Sequence, residues 1–291
     1  MKGIITGTVG GFFFVTDEME KEYKTKIRGK IRKKVYPGDY VQFSRETNTI
    51  EKVLERKNLL KRPKIANVDQ VLIVFSVQAP PFDQTQLDRF IILVEAAGIK
   101  PLIIINKNDL VENCEEIACE ENLKDEFLIY TDLGYELCIT SAIEKSGLSS
   151  LRCKLSSKIN VMCGPSGAGK SSLINKIVKD ADLETGSVSK KLKRGVHTTK
   201  QTRLLRLEDG GWIADTPGFS SLDLSHIKAD ELKFLFPEFD DYLNGCKFNT
   251  CSHTHEPGCL VKAAVENEKI SSKRYLSYIN FYKEIKEKQE M

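Results

Sequence analysis

The chain has 291 residues, of which 41% are hydrophobic and 29% charged, with a formal net charge of +3. That is enough chain for two or three domains with proper cores, and no apolar stretch approaches the length a bilayer span requires. The amino terminus, MKGIITGTVGG, lacks the basic, apolar and small-residue layout of a signal peptide, so the expected compartment is the cytoplasm, with no membrane partner.

The charge is unevenly spread. Residues 1–65 carry 16 Lys/Arg and 8 Asp/Glu, a surplus of +8 that leaves −5 for the remainder. A small basic module on a near-neutral body suits a polyanion-binding appendage, although a solvated lysine-rich surface gives the same count.

In chain order, Ile4-Ile5, Phe12 to Val15, Tyr23 to Ile31, Tyr40 to Phe43 and Ile50 to Leu54 are β-prone. Gly10-Gly11, Pro37-Gly38-Asp39 and Thr47-Asn48 punctuate them. Five strands without helical periodicity predict a small barrel of the OB type over residues 1–64. Such barrels often bind RNA, and aromatics among basic residues fit that use, while Phe12 to Phe14 also supply core and rim.

From about residue 66 the pattern changes. Val71 to Phe75 is a continuous apolar run, as in a parallel strand buried on both faces. Leu87 to Ala97 has helical spacing and stops at Gly98, and Leu102 to Ile105 is the next buried strand. Further strands are expected at 137–140, 159–163, 203–207 and 212–214. The alternation predicts a doubly wound α/β domain over residues 65–222.

Asn106-Lys107-Asn108-Asp109 stands at the end of the strand 102–105. A carboxylate there can accept two hydrogen bonds from guanine N1–H and N2–H₂, whereas adenine offers no such paired donors. Lys107 would lay its aliphatic stem along the ring, beside Asn106. Thr140-Ser141-Ala142, after the strand 136–139, would add a backbone N–H for guanine O6. An NKxD tetrapeptide alone is common and gains meaning only beside a phosphate-binding motif.

Such a motif is present. Gly164-Pro165-Ser166-Gly167-Ala168-Gly169-Lys170-Ser171 is a P-loop pattern behind the apolar strand Ile159 to Cys163. It opens a helix from Ser172 to Val178. The glycines let successive N–H groups curl around phosphate oxygens, aided by the helix dipole. Gly164 to Ser172 are the expected phosphate contacts, Lys170 reaching the β- and γ-phosphates and Ser171 binding Mg²⁺.

Arg194-Gly195-Val196-His197-Thr198-Thr199 lies in a polar segment suited to a switch I loop, where a threonine hydroxyl can complete the Mg²⁺ shell. Asp215-Thr216-Pro217-Gly218 comes after the strand 212–214. Asp215 can approach Mg²⁺ through water, and the Gly218 amide can meet the γ-phosphate.

The order is unusual. An ordinary GTPase places the P-loop first and the guanine reader last; here the guanine reader precedes it. Joining the usual ends and opening the chain after switch II recovers the same sheet, a permutation that neighbouring termini make cheap.

The chain has eight cysteines. Cys246-x4-Cys251-x-His253-x5-Cys259 groups three sulfurs and an imidazole near turn-forming glycines and a proline. That set gives the closed tetrahedral shell of a structural zinc ion and favours metal over disulfides. His255 is the competing imidazole, and free thiols are the alternative. Cys114, Cys119, Cys138, Cys153 and Cys163 read as ordinary residues. Residues 223–291 hold this cluster and a helical tail whose Tyr275, Tyr278 and Tyr282 form a stripe suited to packing.

The barrel, NKND, the P-loop, GVHTT, DTPG and this cysteine spacing, in one order, closely resemble the RsgA family of circularly permuted GTPases. The likeness spans essentially the whole chain, including Asn67-Val68-Asp69-Gln70 and Glu256-Pro257-Gly258-Cys259. It implies GTP/GDP binding and GTP hydrolysis stimulated by the 30S ribosomal subunit, late in that subunit's maturation, with hydrolysis controlling release. The barrel and zinc module would contact 16S rRNA, and the chain would act as a monomer. Gly218 is followed by Phe219, Ser220 and Ser221, so the glutamine that often positions water is missing. The resemblance makes His197 its substitute and Thr199, with Thr198 as second choice, the Mg²⁺-binding threonine.

Overall fold

The structure is a computed structural model that describes residues 1–29, 31–61, 63–112, 127–178, 202–215 and 222–290. Five amino-terminal strands, β1 (Lys2–Val9), β2 (Phe12–Asp17), β3 (Glu22–Ile27), β4 (Tyr40–Ser44) and β5 (Thr49–Val53), close into a barrel in the order β1-β2-β3-β5-β4. Only the β3–β5 pair is parallel. Closure leaves no free sheet edge, and Ile5, Val15, Val41, Phe43 and Ile50 fill the interior. The third strand is shorter than expected. It stops at Ile27, and a turn closed by the Ile31 amide on the Arg28 carbonyl (2.9 Å) returns Ile31 to the barrel core.

A small hairpin, β6 (Leu59–Lys61) with β7 (Lys64–Ala66), comes after the barrel. Asn67 then turns the chain in a left-handed conformation (φ +57°). Its amide nitrogen donates to the Gly38 carbonyl and its oxygen accepts from the Lys57 amide, both at 2.8 Å. Asp69 accepts from the Ile159 amide at 2.8 Å, and Gln70 donates to Asn160 at 2.7 Å. The Asn67–Gln70 segment therefore ties the barrel to two adjacent sheet strands.

That sheet contains β8 (Gln70–Ser76), β9 (Lys100–Asn106), β10 (Glu136–Thr140), β11 (Ile159–Cys163), β12 (Arg203–Arg206) and β13 (Trp212–Asp215). The order is β10-β9-β8-β11-β13-β12, parallel except for the edge strand β12. Every residue of β8 and β11 is buried, as continuous apolar runs require. Val71, Ile73 and Phe75 face helix α1 (Gln84–Glu95) on one side. Leu72 and Val74 face α2 (Leu148–Leu155) and α3 (Lys170–Ile177) on the other. Asp83 caps α1 by accepting from the Gln86 amide at 3.0 Å, and Gly98 (φ +65°) lies just past its end.

Beyond residue 222 the described residues contain no strand; short 3₁₀ turns lead into α4 (Leu260–Glu266) and α5 (Ser272–Glu290). Their core includes Phe236, Phe239, Tyr278, Phe281 and Ile285 and continues into Ile92 and Leu93 of α1. Arg274 of α5 is completely buried, with Nη1 donating to Asp88 of α1 at 2.6 Å and Nε to Glu238 at 2.7 Å. Tyr130 also donates to Asp88, at 2.7 Å. Burial opposes the Arg274 charge, but the two facing carboxylates more than hold it in place. No described helix is long and apolar enough to cross a membrane.

Candidate active site and metal centre

The parallel strands end on one edge of the sheet, where α/β folds bind ligands. In register, Ser76 of β8 and Thr140 of β10 both lie opposite Asn106, so the loops after these three strands converge. The P-loop rises beside them from β11. Gly164 (φ +132°) passes so close to β8 that a Cβ would stand 2.0 Å from the Val74 carbonyl oxygen. Glycine is demanded there by space as well as by φ.

Asn106 binds the site together. Its amide nitrogen donates to the Ala168 carbonyl at 3.0 Å, and its oxygen accepts from Thr140 at 3.2 Å. A Cβ on Gly169 would meet that amide nitrogen at 2.2 Å and the Lys107 Cε at 3.7 Å. The NKND loop and the P-loop are thus in direct contact although about sixty residues separate them in sequence. Lys107 takes a left-handed conformation (φ +66°). Asp109, itself buried, accepts from the buried Ser141 hydroxyl, and that oxygen accepts from the Glu144 amide at 3.1 Å. Ala142, next in the chain, is buried.

Within the P-loop, Gly167 (φ +82°) and Gly169 (φ +88°) give the reversals that curl the backbone. Lys170 donates to the Gly164 and Pro165 carbonyls at 2.9 and 2.6 Å. Ser166, Gly167 and Ser171 are open to solvent, and Ser172 is half-buried. The β13 strand ends at Asp215 on the same edge, one register step beyond the Ala214–Val161 pair. His197, Thr198, Thr199 and Gly218, along with Cys114 and Cys119, lie outside the described residues.

In the carboxy-terminal region, ligand atoms of Cys246, Cys251, His253 and Cys259 all lie within 4.8 Å of one another. His253 Nδ1 is 3.6 Å from the Cys246 sulfur and 3.4 Å from that of Cys259, and those two sulfurs are 4.0 Å apart. Bonds of about 2.3 Å to sulfur and about 2.0 Å to nitrogen give a tetrahedron with edges of roughly 3.6–3.8 Å, so the spacing suits one metal ion. His255 points elsewhere, its Nδ1 2.8 Å from the Thr254 hydroxyl. Burial pushes the Cys251 thiol up to about 12 and the His253 imidazole down, so an ion bound here would displace thiol protons and meet a neutral ring.

The surroundings hold this cluster firmly. Tyr275 and Tyr278 donate to the His253 and Ser252 carbonyls at 2.8 and 2.6 Å, so the tyrosine stripe packs on the cysteine–histidine loop. Burial disfavours the Glu256 carboxylate, but the hydroxyl and amide of Ser252 and the Thr254 amide outweigh it and hold it at about 2.

Sequence patterns did not reveal the bonds Asn67 makes, the Asp88–Arg274–Glu238 network, or the loop 77–82 beside the P-loop. The only signals available were an asparagine where φ is positive and a Pro-Pro pair between a strand and a helix.

Read from β11 through β12 and β13 and then on to β8, β9, β10 and α2, the elements follow the usual P-loop GTPase order. In this chain the usual ends are joined between α2 and β11, and the chain is opened between β13 and β8. A P-loop and an NKxD loop in contact on that sheet, in this chain order, define a circularly permuted P-loop GTPase. The RsgA GTPase family matches residues 53–225, and the RsgA N-terminal domain matches residues 2–50. The small ribosomal subunit biogenesis GTPase RsgA of Geobacillus sp. (strain WCH70) is 44% identical over 99% of this chain and 98% of its own. That of Streptococcus pneumoniae serotype 4 is also 44% identical, over 100% of this chain and 96% of its own. The crystal structure of YjeQ from Thermotoga maritima superimposes with a TM-score of 0.84 at 36% identity, covering 98% of both chains. That of YloQ, described as a circularly permuted GTPase, gives 0.82 at 36% identity, with 98% of this chain and 95% of the other covered. The chain belongs to the RsgA GTPase family, and it is a GTP-hydrolysing enzyme.

Proposed function

We propose that this GTPase acts on the small ribosomal subunit late in 30S maturation, that the subunit stimulates its hydrolysis, and that hydrolysis controls its release. The observation that carries this reading is the permuted GTPase sheet flanked by a basic barrel and a cysteine–histidine module, a set whose full-length relatives carry the name small ribosomal subunit biogenesis GTPase. In this reading the barrel spans 1–64, the GTPase domain 65–222 and the metal module 223–291. The chain works as a cytoplasmic monomer, and barrel and module contact 16S rRNA. Phe12, with the Lys24 and Lys26 ammonium groups 4.2 and 5.2 Å from its ring, offers the barrel a stacking surface beside positive charge.

Asp109 reads the guanine N1–H and N2–H₂ pair, Lys107 lies along the ring beside Asn106, and the Ser141–Ala142 backbone meets O6. Gly164 to Ser172 cradle the phosphates, and Lys170 turns from its own loop carbonyls to the β- and γ-phosphates. Ser171, Thr199 and Asp215 hold Mg²⁺, which neutralises charge between the β- and γ-phosphates when bound. The Gly218 amide senses the γ-phosphate, and His197 orients the attacking water or accepts its proton. Zinc is the ion that three thiolates and an imidazole select in a closed site.

A steady-state GTPase assay with and without 30S subunits tests the reading. Strong stimulation is expected; a flat response would leave a nucleotide-gated RNA-binding protein whose turnover is incidental. His197→Ala is expected to bind GTP yet lose stimulated turnover, and a stimulated rate equal to the parent's sinks its role.

A further inference from the structure

We propose that residues 77–82, which connect β8 to α1, form a third wall of the nucleotide site, with the Ala79 carbonyl positioning Lys107 for the base. The proposal rests on the reading of 106–109 as the guanine reader and adds to it a segment that belongs to none of the nucleotide-reading motifs.

The loop is pinned to both halves of the site. The Val77 amide donates to the Asn106 carbonyl at 3.1 Å, and the Ala79 amide donates to the Ser76 hydroxyl at 3.1 Å. Those bonds aim the Ala79 carbonyl at the Lys107 ammonium, which donates to it. On the other side, a Cβ on Gly167 would stand 3.4 Å from Pro80 Cδ, so the proline packs on the P-loop. Phe82 anchors the loop's far end, its ring centroid 5.8 Å from that of Phe75 and 4.8 Å from that of Phe127. Asp83 then caps α1.

Lys107 is held at three points. Its backbone sits in the left-handed region, its Cε lies beside Gly169, and its ammonium is on Ala79. An unrestrained lysine stem samples many rotamers, and ordering it on the base would subtract from affinity. A carbonyl that already receives the ammonium removes part of that cost, and the charge assistance makes the bond a strong one. Two prolines stiffen the loop that carries this carbonyl, which is why loosening them should be felt at the base.

The test is a double-mutant cycle on the full-length, metal-loaded chain, reading dissociation constants for GDP, GTP and ADP. Replacing both prolines (Pro80→Gly with Pro81→Gly) is expected to weaken GDP and GTP by the same factor, about ten-fold or about 1.4 kcal/mol. The factor is shared because the base, and not the phosphate count, is affected. In a Lys107→Met background, which keeps the stem but lacks the ammonium, the same loop change should have no further effect. Where the double-glycine variant melts below the assay temperature, Ala79→Gly replaces it in the same cycle, with a loss of about three-fold expected. A guanine-selective parent whose affinity ignores the loop changes overturns the proposal. So does a loss that persists in full in the Lys107→Met background, since the loop would then act through the P-loop. A parent that binds ADP as tightly as GDP overturns the guanine reading itself, and this proposal with it.

Discussion

The barrel meets the edge strand β12 through exposed ion pairs, Arg203 with Glu22 at 3.1 Å and Arg206 with Glu20 at 2.9 Å. These pairs border a cavity of about 330 Å³ lined also by Thr6, Thr16 and Trp212. The metal module meets helix α1 through Arg274, which is wholly buried between Asp88 and Glu238. Exposed pairs are worth roughly 0–1 kcal/mol and weaken with salt, whereas removing one partner from a buried set costs roughly 3–5 kcal/mol. The two appendages are therefore attached differently. The module shares a core and a buried charge network with α1. The barrel is held at the Asn67–Gln70 segment and by Ile4, which packs in the apolar cluster of Val71 and Ile73, with only exposed ion pairs at β12. Arg89 extends the firm side: it pairs with Glu284, donates to the Leu222 carbonyl at 3.1 Å, and lies over the Phe281 ring.

Metal removal should separate the two attachments most sharply. Chelation is expected to unfold the loop 246–259 and release Tyr275 and Tyr278, since structural zinc supplies on the order of 10 kcal/mol to small sites of this kind. Tyrosine emission and far-ultraviolet dichroism should change, while emission from Trp212, the chain's one tryptophan, stays put beside the barrel cavity. A simultaneous shift at Trp212 would mean that the two attachments are not independent. Because burial pushes the Cys251 thiol up to about 12, protons compete with the ion, and release should become easier as pH falls.

Next in size is Arg274→Ala, which strands Asp88 and Glu238 in the interior and should cost about 3–5 kcal/mol in denaturant unfolding. Replacing all three by apolar residues of similar volume (Arg274→Met, Asp88→Leu, Glu238→Leu) should recover most of that loss. A loss under about 1 kcal/mol for Arg274→Ala would erase the contrast between the attachments. Asn67→Ala should cost about 2 kcal/mol, because it leaves the Gly38 carbonyl and Lys57 amide without their partner and keeps a positive φ without asparagine. The smallest effect belongs to the edge pairs. Arg203→Glu with Arg206→Glu should cost less than about 1 kcal/mol in stability yet shift Trp212 emission, and the parent should show the same shift as salt is raised.

The strands β8, β9 and β11 were legible because a strand buried on both faces must be apolar throughout, and Val71–Phe75, Leu102–Ile105 and Ile159–Cys163 are nearly so. The barrel was legible from alternating strands and their turn residues. The hairpin β6–β7 was not, since three-residue strands carry too little periodicity. Arg274 was hidden for another reason. On a helix rich in charge it reads as a surface residue, and the partner that buries it, Asp88, lies 186 positions away. The Ala79 carbonyl has no side-chain signature at all.

The sequence by itself determined the chemistry available: glycines that can curl around phosphate, a carboxylate at a strand end, three thiols and an imidazole within one turn-rich segment, and the permuted order of these parts. Each is encoded locally, by residue type and short spacing. Tertiary structure decided which local parts meet. It set Asn106 against the P-loop, placed His253 and not His255 among the cysteines, and buried one arginine while leaving others to solvent. The reason is that a side chain's hydrogen-bonding capacity and charge are properties of the residue, whereas its partner and its distance from water are properties of the whole packed chain.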